Sequence, residues 1–314
     1  LGITGVTRLK DVEIFSIGSD INDITNDSAY SQMIGFTRDE IKKYYIDYLK
    51  LASSYENSCS VDNVTDEQIE SLLDRLAKNY DGYCFDEDYE KKVFNTWSVN
   101  KFFQTMVGKK KVQFGEYWYD NGGLPSILVN YLKTHELNIF EYLDKDKFLK
   151  VSSDDFKNPT ALTTINQNVL MCQTGYLTLR SDLNKTSTVA LGIPNGEIYK
   201  ALNRLLANNI FKGNTDITDD YGRSLLEVGT VDDIINLFNS ALNSVSYDNY
   251  PIVSESSVQN MLKLYLLGAH QEVLSEVHEA KGRADLIVNT DNRRIVFEFK
   301  YAKDETEAKA KLSE

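Results

Sequence analysis

The chain has 314 residues, 42% of them hydrophobic and 26% charged, which is enough to close a real core and long enough for two domains. Its 47 acids against 34 bases give a formal net charge of −13, opposing a broad nonspecific grip on nucleic acid, because such binding is driven by neutralising phosphates with lysine and arginine. Apolar runs such as Ile295-Val296-Phe297 are too short for a membrane span, and the separated Cys59, Cys84 and Cys172 suggest neither a disulfide framework nor a thiolate metal site, so a reducing cytoplasm is the expected location.

The sequence opens on Leu1 rather than Met, as expected of a piece of a longer chain. A turn at Gly5 leads into a strand around Val12 and Ile14, and the acidic stretch from Gly18 to Tyr30 reads as a solvated loop. No G-x-x-x-x-G-K-[ST] loop occurs anywhere, so no ATP site is expected in this chain. A helix is predicted over 34–49, with Thr37 as its cap and Asp39 and Glu40 in its first turn. A second helix over 63–80 takes Thr65 as cap, buries Ile69, Leu72, Leu73 and Leu76, and ends at the turn pair Asp81-Gly82. Tyr80, Tyr83, Phe85, Trp97, Tyr117 and Trp118 read as packing residues ahead of a base-stacking platform. Another helix is expected over 125–142, opened by Pro125. His135, His270 and His278 each lack a second histidine at ligand spacing, so no zinc site is expected.

Segments 176–179 and 188–191 are β-rich and read as a hairpin, after which Asn195-Gly196 turns into helices that run to about Asp248, one of them capped by Thr230. Their apolar stripes suit a helix-to-helix core, with a groove for a protein partner as the second reading. A last helix over 254–268 precedes the strand in QEVLSEVHEAKG, then two apolar strands over 284–288 and 294–299 joined by the turn Asn289–Asn292. The stretch 304–312 opens one more helix, with acids and lysines near i,i+4 spacing.

The last hairpin carries the chemistry. The two-residue period puts Glu298 and Lys300 on one strand face and Phe297 and Phe299 on the other, while Asp285 comes from the partner strand. Two acids and an amine so placed can bind a hard divalent cation and hold a water beside it, since such cations take oxygen ligands. The same spacing also suits an edge hairpin with solvated charges.

Asp285, twelve intervening residues and then Glu298-Phe299-Lys300, set in GRADLIV and IVFEFK, resembles the nuclease domain of the PD-(D/E)XK superfamily. More closely, it resembles the bacterial family in which that domain follows an AAA-ATPase-like domain. ITGVT, GFTRDEI, YDGYCF, VFNTWSV, FGEYW, LMCQTGYLTL and LGIPNGEI match that family's segments in order. The resemblance implies an α/β (α+β) fold, mostly helical in its N-terminal and middle regions, ending in a restriction-endonuclease-like α-β-β-β core. It divides the chain into the end of an ATPase-like domain over 1–160, a hairpin and helical connector over 161–250, and the nuclease-like domain over 251–314, with the nucleotide-binding half lying before Leu1.

The resemblance further implies DNA as substrate and Mg2+ or Mn2+ held by Asp285, Glu298 and the Phe299 carbonyl. Lys300 would act on the attacking water or stabilise developing charge, and Arg283, which matches the family's Gly-Arg, would pair with phosphate or with a local carboxylate. Arg293 and Arg294 would join it in a locally positive, phosphate-binding groove. Ser257 stands where relatives show histidine, which leaves a further ligand open between Glu255 and Glu276. Two functions follow: a metal-dependent nuclease, or a nuclease-like scaffold that binds nucleic acid or a protein without cutting.

Overall fold

Local capping chemistry starts most of the helices. In the computed structural model, which describes residues 22–312 except 121–124, 136, 160, 212–220 and 280–281, Thr37 and Thr65 each close a reciprocal capping box, with Glu40 and Gln68. The strand expected near Val12 lies outside the described residues. Contacts divide the chain into two compact units, Leu1–Leu137 with Lys145–Ala201, and Asn138–Asp144 with Leu202–Glu314.

In the first unit, helices α1 (Arg38–Tyr44), α2 (Ile46–Asn57), α3 (Asp66–Tyr80) and α4 (Thr96–Lys109) enclose a core of Ile41, Leu49, Leu72, Leu76, Tyr80 and Phe102 among others. Each such side chain contributes about 1.5–3 kcal/mol of burial free energy. The helix expected over 34–49 is broken at Tyr45, whose backbone leaves the helical region (φ −112°, ψ 17°) to cap α1 and open α2. Short helices α5 (Tyr117–Asp120) and α6 (Ser126–Leu132) follow. The helix expected to run to Tyr142 stops at Leu132 because the Tyr131 carbonyl accepts from both the Thr134 and His135 amides (3.1 and 3.0 Å), tightening and ending the turn.

Strand β1 (Leu149–Ser152), which the sequence reading missed, leads into α7 (Ser153–Lys157) and α8 (Gln167–Gln173). It joins the expected hairpin of β2 (Thr178–Leu179) and β3 (Thr188–Gly192) in an antiparallel sheet of order β1-β3-β2, with Leu149 opposite Leu191. The stretches YDGYCF, LMCQTGYLTL and LGIPNGEI meet here. The Cys84 amide donates to Thr178 Oγ1 (2.8 Å), the Tyr83 hydroxyl to the Gly175 carbonyl (3.0 Å), and Asn195 Nδ2 to the Asp81 carbonyl (2.8 Å). Gly82 has a positive φ of 101°, and a β-carbon there would lie 2.2 Å from the Pro194 carbonyl oxygen. Only glycine fits that approach. These stretches form a packing node.

Helix α9 (Gly196–Ile210), capped by Asn195, contains the boundary between the units. In the second unit, α10 (Tyr221–Val228), α11 (Val231–Asn243) and α12 (Glu255–Gly268) precede an antiparallel sheet of order β4-β5-β6, formed by β4 (Glu272–Glu279), β5 (Gly282–Asn289) and β6 (Arg294–Phe297). Thr230 caps α11 as expected, and Ser254 caps α12. Helix α13 (Glu305–Leu312) closes the described chain. The architecture is therefore a mostly helical N-terminal and middle region followed by a C-terminal α-β-β-β core. Among the described residues, no helix is long and apolar enough to cross a membrane.

Candidate functional site

One face of the last sheet carries Leu286, Val288 and Phe297 toward the helices, where the Phe238 ring of α11 lies 5.3 Å from Phe297 and Lys263 Nζ of α12 donates to Ser275 Oγ (2.9 Å). By strand alternation Asp285, Val296 and Glu298 belong to the other face. The turn joining β5 to β6 closes with the Thr290 amide donating to the Arg293 carbonyl (2.9 Å), one residue later than the sequence reading placed it.

Strand β6 pairs with β5 from Asn289↔Arg294 to Leu286↔Phe297 and then stops, one residue before Glu298 would come opposite Asp285. Side chains take over where the ladder ends. The Phe299 amide donates to Asp285 Oδ2 (2.8 Å), and Gln259 Nε2 of α12 donates to the Asp285 main-chain carbonyl (2.9 Å). On the far side of β5 the pairs Ser275↔Leu286 and Val277↔Ala284 bracket Glu276, so its register position is opposite Asp285.

Lys300 Nζ donates to Glu298 Oε1 at 2.7 Å, and both side chains are exposed. The Lys300 pKa is raised, first by this hydrogen bond and then by the charges of Glu298, Glu255 and Asp285. Glu255 in the first turn of α12, Asp285 in β5 and Glu298 beyond β6 thus act on one ammonium. The Phe297 and Phe299 rings stack 6.1 Å apart and 3° from parallel, leaving the charged pair on the opposite side as the period requires.

Residues 253–314 match the PD-(D/E)XK nuclease superfamily. This superfamily segment opens two residues ahead of α12 and holds Glu255, Asp285, Glu298 and Lys300, but not the upstream motifs on which the wider resemblance rests. A protein of Azotobacter chroococcum mcd 1, described as "Uncharacterized protein in vnfD 5'region", is 24% identical over 307 residues, covering 95% of this chain and 53% of its own length. The chain therefore spans about half the length of this relative. No solved structure matches it significantly.

Within the matched segment, the Asp285 side chain bonds to the Phe299 amide just past the end of β6, between Glu298 and Lys300 in the chain. The predicted arginines disperse. Arg283 takes the register position opposite His278 in the β4–β5 hairpin, and Arg294 lies exposed opposite Asn289. Arg293 turns away from the acids: its guanidinium donates to the carbonyls of Leu225 (3.3 Å) and Gly229 (3.0 Å) at the C-terminal end of α10. Among the described residues, no group of three or more His, Cys, Asp and Glu side chains is placed to hold a metal ion.

Sequence reasoning missed two polar residues. Gln259 was signalled only by its place one turn beyond Glu255. Glu197, given no role in the sequence reading, is 2% exposed and accepts from Ser98 Oγ (2.6 Å) and the Trp118 amide (2.9 Å). Burial pushes its pKa up to about 7.

Proposed function

We propose that the C-terminal segment is a metal-dependent phosphodiesterase centre acting on DNA. The observation that carries this reading is the meeting of Asp285, Glu298 and Lys300 where β6 leaves β5, inside a segment that matches the nuclease superfamily. The donor set fits Mg2+ or Mn2+ in kind: two carboxylates, one in β5 and one just past the end of β6, suit a hard cation whose remaining positions go to water, phosphate oxygen and, in this reading, the Phe299 carbonyl. Asp285 and Glu298 would hold the ion, with Glu255 or Glu276 as the further acid. When bound, it supplies a Lewis acid for the phosphoryl oxygen and a more acidic water. Lys300, two residues beyond Glu298 and held in the field of three carboxylates, would orient the attacking water or stabilise charge developing on the phosphate.

A second reading has its own observation. Asp285 is engaged with the Phe299 amide and Glu298 with Lys300, so the acids are satisfied by the protein itself, as suits a scaffold that binds nucleic acid or a protein without cutting. Incubation of supercoiled and single-stranded DNA with Mn2+ or Mg2+ separates the two. Cleavage reduced by about 100-fold or more in Glu298→Ala and Lys300→Ala supports the first. Equal cleavage by all three proteins overturns the assignment, and DNA retention without cleavage in either metal moves it to the second.

A further inference from the structure

Helix α12 presents Glu255, Gln259 and Lys263 at i, i+4 and i+8, a polar stripe along a helix that otherwise buries Met261, Leu262, Leu264, Tyr265 and Leu266. Successive members rise about 6 Å along the helix, close to the roughly 4.8 Å spacing of neighbouring strands. Each reaches a different part of the sheet. The Glu255 charge acts on Lys300 beyond β6, Gln259 donates to the Asp285 carbonyl in β5, and Lys263 donates to Ser275 in β4.

The middle connection differs from the others because its acceptor is main chain. Where β6 departs, the Asp285 carbonyl is taken by Gln259 Nε2 at 2.9 Å, while the carboxylate of the same residue takes the Phe299 amide at 2.8 Å. One bond fixes the Asp285 backbone to the helix, and the other uses its side chain to tether the departing strand.

We propose that Gln259 is a positioning residue for Asp285, holding the opened end of the sheet so that the Asp285 carboxylate faces Glu298 and the metal. The inference rests on the metal-centre reading above. Groups that orient a ligand from behind are worth about 10- to 100-fold in metal affinity. Gln259→Met keeps the side-chain length and removes the donor, and Gln259→Asn keeps the amide but withdraws it by one methylene.

The test is Mn2+ titration of the whole chain by calorimetry, with the Asp285 carbonyl 13C shift as an independent report on the hydrogen bond. Both variants are expected to move that shift and to weaken Mn2+ binding by about 10- to 100-fold. In an Asp285→Asn background neither should weaken it further. If Gln259→Met fails to fold, Gln259→Asn decides. Wild-type affinity in a folded Gln259 variant, with binding lost in Asp285→Asn, overturns the role of Gln259 alone. No Mn2+ uptake by the wild type, or uptake indifferent to Asp285→Asn, overturns the metal-centre reading and this inference with it.

Discussion

Replacing Glu197 by glutamine should change how stability depends on pH, and in a calculable direction. The carboxyl sits in the first turn of α9, 2% exposed, with Ser98 and Trp118 donating to it and the charges of Glu116 nearby. Those donors favour the ionised form, but desolvation outweighs them and lifts the pKa from an ordinary 4.5 to about 7. A raised carboxyl pKa means that the folded state holds the proton more tightly than the unfolded chain does. The associated stability is fully present below pH 4.5 and is lost as pH rises through 7. At about 1.4 kcal/mol per pKa unit, the loss is about 3 kcal/mol. Glutamine cannot ionise, so the wild type should lose that amount relative to Glu197→Gln between pH 4.5 and pH 8. Taking the difference between the two proteins cancels the other acids. Urea unfolding followed by tryptophan fluorescence suits the measurement, because both tryptophans lie close by: Trp118 donates to Glu197 and Trp97 Nε1 to the Tyr117 carbonyl. A stability difference that stays constant across this pH range refutes the reasoning.

Gly82→Ala should destabilise the first unit by roughly 1–3 kcal/mol, since alanine is strained at φ 101° and its β-carbon meets the Pro194 carbonyl; a thermal melt unchanged within a degree would contradict this. Arg293→Ala should cost about 1.5–3 kcal/mol, chiefly through the Gly229 carbonyl left behind past the end of α10, since the Leu225 carbonyl keeps the Gly229 amide, while DNA affinity stays unchanged if capping is its whole role. Loss of affinity at constant stability would return Arg293 to the phosphate-contacting set. Lys300→Arg should fail to restore cleavage lost in Lys300→Ala, because the planar fork replaces a compact ammonium beside Glu298; full recovery in a plasmid assay would show that charge alone suffices.

What could be read in advance was local. Thr37, Thr65 and Thr230 each bond to an amide three residues on, so the starts of three helices were visible in short windows of sequence. The Asp285 and Glu298-Lys300 hairpin was visible for the same reason, since a two-residue period and a short turn define it. Distance in sequence hid the rest. Strand β1 is four residues long and takes its identity from Leu191, far downstream of Leu149. The end of α6 depends on two amides sharing the Tyr131 carbonyl, which no residue type announces. Glu197 looks like any acid in a first helical turn until Ser98 and Trp118 fold over it from 99 and 79 residues away. Gln259 was hidden because its partner is a carbonyl, and every residue has one.

The Arg293 cap has a bearing on how the last hairpin finds its alignment. A strand that slips by one residue exchanges its two faces, so a misaligned β6 would turn Glu298 and Lys300 toward the apolar helices and Phe297 toward solvent. The same slip would carry Arg293 away from the Leu225 and Gly229 carbonyls and take from the Gly229 carbonyl, just past α10, its guanidinium donor. The arginine next to the turn thus serves as an alignment key: a wrong closure is penalised twice, once in the sheet and once at a helix end more than sixty residues earlier.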